Sequence, residues 1–93
     1  MAKLSAEQIE AKLKTLNGWT LQGNSITKNY LLKDFVTALG FVNHVGWLAE
    51  KADHHPDITI HKYKNVMLTF TTHSDGGLTD KDFEMAKQVD AYA

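Results

Sequence analysis

Three histidines are the side chains in this 93-residue sequence best suited to chemistry. His54 and His55 are adjacent and run straight into Pro56, while His73 stands just before an Asp75-Gly76-Gly77 loop. Imidazole has an unperturbed pKa of about 6.5, so at neutral pH one ring donates a proton while another accepts one. Two or three such rings around one small molecule form an acid–base set that needs neither a metal nor a covalent intermediate. Proline restricts the residue before it to extended geometry, which places the doublet on a stiff elbow where a helix gives way to a strand. Glu50 precedes His54 by four residues. A helix persisting that far would put its carboxylate beside the His54 ring, where it would orient the imidazole.

Other features read as structural. His44 and His61 are expected on the surface or in turns. Three histidines plus Asp or Glu could hold zinc, but no His-x-x-x-His pair or other recurrent ligand spacing is present, so no metal and no cofactor are expected. Trp19, Trp47 and Phe41 are expected in the core rather than as a ring-stacking platform. Gly76-Gly77 lacks a lysine at Walker spacing and reads as loop punctuation, not a phosphate cradle.

Composition narrows the function classes further. There is no cysteine, which excludes disulfide scaffolds, thiolate metal sites and cysteine nucleophiles. All ten basic residues are lysine. The missing arginine weakens nucleotide and phosphosubstrate readings, because arginine is the preferred bidentate partner for phosphate. A net charge of -1, with no lysine cluster interleaved with aromatics, gives no pull towards nucleic acid. No apolar run approaches the roughly 18 residues of a membrane span. The polar, helix-like start carries no signal-peptide pattern, so a cytoplasmic protein is expected. Without repeats or linkers, residues 1–93 read as one domain, small enough that an oligomer would complete its core.

Elements positioning the histidines follow from periodicity. Ser5 and Gln8 form a capping box, with Leu4 and Ile9 as a hydrophobic staple, for a first helix running to Asn17-Gly18. Gly23-Asn24 joins two short strands, 19–22 and 25–30. A second helix runs from Asp34 towards Ala52, with Phe35, Ala38, Leu39, Val42, Val45 and Ala49 at helical spacing. Phe41, Leu48 and Trp47 widen its apolar surface, so it is expected to be covered on both sides. After Pro56 the period changes to two: Ile58 and Ile60, then Val66, Leu68 and Phe70 beyond a turn near Lys64-Asn65. A last helix starts at Thr79, with Asp82 in the capping-box position and Leu78 and Phe83 as the staple. The order helix, two strands, helix, two strands, helix makes an α+β domain with an antiparallel sheet.

Glu50 to Asp57, Tyr63, Thr72-His73, and Gly77-Leu78-Thr79 with Asp82 together resemble the pterin-4a-carbinolamine dehydratase signature. Gly18-Trp19 and the Phe35, Ala38, Phe41 spacing resemble it too. The resemblance implies a four-stranded antiparallel sheet with three helices packed on one face, assembled into a homodimer or homotetramer. It implies dehydration of 4a-hydroxytetrahydropterin to quinonoid dihydropterin, which recycles the pterin after an aromatic amino-acid hydroxylase has used it. It places the catalytic histidines at His54, His55 and His73, with Glu50, Pro56 and Asp82 binding or supporting. On this basis His55 and His73 share the acid and base roles while His54, oriented by Glu50, polarises the 4a region. Related proteins also act as dimerisation cofactors of transcription regulators or as assembly factors, which makes a non-catalytic module the alternative. Ile58 stands where the family commonly has an aromatic residue. Pro56 to His73 is one residue longer than the family form, which calls for a bulge near His61–Tyr63 or a longer turn near Lys64-Asn65.

Overall fold

A computed structural model describes residues 2–93. Its elements are α1 (Ala6–Leu13), β1 (Thr20–Gln22), β2 (Ser25–Leu31), α2 (Phe35–Ala52), β3 (Asp57–His61), β4 (Asn65–Phe70) and α3 (Asp80–Tyr92), with a single 3₁₀ turn at His73–Asp75. The strands form one antiparallel sheet in the order β1-β2-β4-β3.

Local chemistry explains most boundaries. Ser5 and Gln8 make the expected reciprocal capping box. Asp34 caps α2 by accepting from the Thr37 N–H. Thr79 and Asp82 make the second capping box, with Leu78 and Phe83 both buried beside it. The first helix stops at Leu13 rather than at Asn17-Gly18. Beyond it the chain tightens to i→i−3 bonds, Thr15 N–H to the Lys12 carbonyl and Leu16 N–H to that of Leu13, and the Thr15 hydroxyl also donates to the Lys12 carbonyl. A threonine side chain competing for a helix carbonyl ends the regular ladder early.

The alternation after Pro56 sorts the sheet into two faces. Val66, Leu68 and Phe70 are fully buried, and Ile26 and Tyr30 of β2 pair beside them on the same face. This face meets Ala38, Phe41, Val45 and Ala49 of α2 and Phe83, Met85, Ala86 and Val89 of α3, while α1 adds the partly buried Ile9 and Leu13. The opposite face carries Thr20, Gln22, Asn29, Thr59 and Met67, all exposed, so the three helices lie on one face as expected.

The β3–β4 hairpin carries no bulge, so the bulge expected near His61–Tyr63 is not formed. Pairing runs unbroken from Asp57↔Thr69 to His61↔Asn65, leaving a three-residue loop of Lys62, Tyr63 and Lys64. Lys62 and Tyr63 both adopt positive φ, 48° and 54°. The unbroken register fixes the set of side chains facing the core. The turn therefore sits two residues earlier than the Lys64-Asn65 expectation.

At the far end of the sheet Asp90 gathers Trp19 Nε1–H at 3.0 Å, Lys28 Nζ at 2.8 Å and the Tyr30 hydroxyl, tying β2 and the residue that leads into β1 to the last turns of α3. Burial pushes the Tyr30 phenol well above the ordinary tyrosine value; the hydrogen bond to Asp90 and its negative charge push the same way.

The expectation that α2 is covered on both sides fails within the chain. Its sheet side is buried, but Val36 is 76% exposed and Trp47 75% exposed, with Phe35 and Leu39 also open. Trp47 is therefore not a core residue, unlike Trp19 and Phe41, which are buried as expected. Periodicity shows that a helix is apolar on two strips, but not whether its own chain supplies the cover for both. No helix is long and apolar enough to cross a membrane among the described residues.

Candidate active site

The site is built where α2 ends. Asp53 takes the left-handed conformation, φ 52° and ψ 45°, which aspartate tolerates better than most residues because its short polar side chain bonds locally. The His54 N–H reaches back to the Ala49 carbonyl at 3.0 Å and the Asp53 N–H to that of Glu50 at 3.2 Å. This paired closure reverses the chain, and Pro56 then carries it straight into β3.

The reversal turns the two rings in different directions. His54 turns inward: its side chain is 10% exposed, its ring stacks against Phe70 at 6.1 Å between centroids, and its Nε2 lies 2.6 Å from Asp82 Oδ1. His55 stays at the surface, 58% exposed, with its Nε2 2.9 Å from Glu50 Oε1. The expected Glu50–His54 partnership is thus corrected: Glu50 holds His55, and Asp82 holds His54. The four-residue spacing pairs side chains only while a helix continues, and the left-handed Asp53 ends it before His54.

Asp82 is fully buried, and its other oxygen is occupied as well. Its Oδ2 accepts from the Thr72 hydroxyl at 2.8 Å and from the Thr79 N–H at 3.0 Å. Thr72 and Thr79 hydroxyls are also 2.9 Å apart. A buried carboxylate is tolerated when donors meet its lone pairs, and here there are three. Asp82 therefore does two jobs that sequence spacing shows only singly: it closes the α3 capping box and anchors a histidine 28 residues upstream.

His73 lies in the 3₁₀ turn rather than at the end of β4, which stops at Phe70, and its side chain is exposed. An isolated bridge between Thr72 and Gly77 closes this loop, so His73 directly follows a residue bonded to Asp82. Pro56 is half-buried between the doublet and β3. A pocket of about 320 Å³ opens beside His54, walled by Thr72, Ser74, Lys81 and Glu84 among others. That volume is at the small end of the roughly 300–1,000 Å³ typical of ligand pockets. Lys81, Glu84 and the hydroxyl roles of Thr72 and Thr79 were not singled out by sequence reasoning, since no local pattern links residues on a loop, a cap and a helix face. Among the described residues no three His, Cys, Asp or Glu side chains converge so as to hold a metal ion.

The fold is a one-sided α+β sandwich, and its candidate site is a carboxylate-anchored histidine at the join of helix and sheet, beside a small pocket. The chain matches the family described as Pterin 4 alpha carbinolamine dehydratase over residues 2–92. A Roseiflexus protein (strain RS-1), provisionally named as a pterin-4-alpha-carbinolamine dehydratase, is 51% identical over 95% of this chain and 94% of its own length. One from Sulfurisphaera tokodaii with the same name is 43% identical over 97% and 96%. Among solved structures, a transcriptional coactivator/pterin dehydratase from Brucella melitensis superposes with a TM-score of 0.90 at 38% identity, over 98% of both chains. A pterin dehydratase-like RuBisCO assembly factor of the alpha-carboxysome shares the fold, with a TM-score of 0.69 at 22% identity over 81% of this chain and 88% of its own. This chain belongs to the pterin-4-alpha-carbinolamine dehydratase family.

Proposed function

We propose that this chain, acting as a single domain in the cytosol, dehydrates 4a-hydroxytetrahydropterin to quinonoid dihydropterin and water. In doing so it recycles the pterin that an aromatic amino-acid hydroxylase has used. The observation that carries the reading is His54 on the wall of a small pocket, with the buried Asp82 bonded behind it, in a chain of this family. In the elimination the C4a–O bond breaks with its electron pair on oxygen, which takes up a proton and leaves as water. The N5 proton goes to a base, and the N–H electron pair becomes the second bond between N5 and C4a. One proton is delivered and one removed, so exchange with solvent restores the imidazoles.

An acid and a base each contribute about 10²–10⁴-fold at most. Asp82 fixes His54 through Nε2, which suits His54 to take the N5 proton on its other nitrogen. His55, steadied by Glu50, and His73 are the exposed imidazoles left to protonate and bind the departing hydroxyl. This shifts His54 from a polarising group to a proton-transfer group, because its anchor is a buried carboxylate rather than an exposed one. His55→Ala and His73→Ala should each slow dehydration at least about tenfold while leaving thermal unfolding unchanged. Full wild-type rates in both folded variants would refute these roles.

A second reading, an interaction module, draws on the open face of α2. Val36, Leu39 and Trp47 lie along it beside a shallow depression of about 520 Å³ lined by Asn43, Gly46, Trp47, Glu50 and Lys51. We propose that a second copy of the chain covers this face, giving a homodimer or homotetramer in which the enzyme and the interaction surface coexist. Trp47→Asp should then shift the sedimentation coefficient of the assembled protein towards that of a 10.4 kDa monomer. A wild-type protein that sediments as a monomer at micromolar concentration would count against it.

A further inference from the structure

The geometry assigns Thr72 and Thr79 a positioning role: their hydroxyls form a one-way chain of donors into Asp82 that keeps the His54 proton on Nε2 and leaves Nδ1 as the open acceptor. This inference rests on the reading of His54 as a proton-transfer group. The direction of the chain follows from counting protons. A carboxylate only accepts, so the contact of Thr72 Oγ1 with Asp82 Oδ2 at 2.8 Å uses the single Thr72 hydroxyl proton. The 2.9 Å contact between the two threonines must then be donated by Thr79. Thr79 Oγ1 accepts in turn from the Lys81 N–H at 3.3 Å, as the cap of α3.

Both hydroxyls are held in place. Thr79 is fully buried. Thr72 is pinned by main-chain bonds to Gly77 in both directions, at 3.2 and 3.3 Å. With the Thr79 N–H also on Oδ2, that oxygen faces two donors, and only Oδ1 remains for His54. An acceptor-only Oδ1 at 2.6 Å requires the ring to donate from Nε2, so the neutral ring is the Nε2–H tautomer. Nδ1 has no hydrogen-bond partner among the described residues. Without the Thr72 hydroxyl, the Oδ2 of the fully buried Asp82 is short of one donor. That favours rotation of the carboxyl group, or a proton held on Asp82 and donated to Nε2, either of which releases the tautomer.

The test reads the His54 ring directly, by ¹⁵N spectra of histidine-labelled protein without substrate, alongside steady-state kinetics. Wild-type His54 should be a single Nε2–H tautomer. In Thr72→Val an Nδ1–H form should appear and kcat should fall about 10-fold, the lower end of the effect of outer-shell partners on an oriented histidine. KM should stay within about twofold, since nothing on the pocket surface is charged or discharged. Thr72→Ser, which restores the hydroxyl, should recover both. Thr72→Ala removes the hydroxyl with different packing and serves if the valine variant does not fold. A wild-type His54 protonated on Nδ1, or a hydroxyl-free variant with the wild-type spectrum, would overturn the assignment. Failure of the pterin reading would show separately, as absent turnover by the wild-type protein with the tautomer still set by Thr72.

Discussion

His54→Ala should slow dehydration of 4a-hydroxytetrahydropterin by about 10²–10⁴-fold, the largest loss expected from any one histidine here. The size follows from anchorage. A group that transfers a proton must be held within hydrogen-bond reach in the correct tautomer, and His54 is the imidazole with a buried carboxylate behind it and an aromatic ring beneath it. His55 leans on an exposed Glu50 and His73 sits exposed in a 3₁₀ turn, so each has more freedom to lose on reaching the reactive geometry. His54→Gln separates chemistry from structure. Its amide can still donate to Asp82 but takes up no proton at neutral pH. The expected result is an unfolding midpoint near wild type with activity as low as in the alanine variant, measured by urea denaturation and stopped-flow absorbance. Wild-type turnover by folded His54→Gln would remove His54 from the proton-transfer step.

Asp82→Ala should cost about 2–4 kcal/mol of stability, because one substitution strands several buried donors. The Thr79 N–H loses its capping partner at the start of α3, the Thr72 hydroxyl loses its acceptor, and the His54 ring loses its anchor. In a domain of this length each kcal/mol lowers Tm by roughly 4–8 °C, so the fall should be on the order of 15 °C by calorimetry. Glu50→Ala is the matched control, since it removes the other carboxylate–histidine contact. Both groups there lie in water, and the unfolding midpoint should not move. Equal losses in the two variants would mean that the two carboxylates are not the structural and surface members of the pair that their burial indicates.

Much of this architecture was legible in the residues alone. Ser5 with Gln8 and Thr79 with Asp82 declare their helix starts because a capping box is a local, three-residue chemistry. The sheet faces follow from alternation at Val66, Leu68 and Phe70, and the His-His-Pro elbow marks the end of α2. The candidate site was half legible. The sequence singles out the four residues of its two carboxylate–histidine contacts, but pairs Glu50 with the wrong ring, because the left-handed Asp53 that separates His54 from the helix has no distinctive composition. Thr72 and Thr79 stayed unseen as site residues since their link is made through space by a loop closing on a helix cap. Periodicity puts Trp47 in the core, because it reports an apolar strip without saying which chain covers it. Whether the β3–β4 hairpin carries a bulge is not legible from composition, and the unbroken register answers it.

The most direct test is the dehydration rate of synthetic 4a-hydroxytetrahydropterin, followed by stopped-flow absorbance with and without the purified wild-type protein. The His54–Asp82 site predicts saturable acceleration over the spontaneous reaction, abolished in His54→Gln and retained without added metal or cofactor. A rate equal to the spontaneous one, from folded protein at any concentration, would contradict the dehydratase reading and leave the open face of α2 as the functional surface.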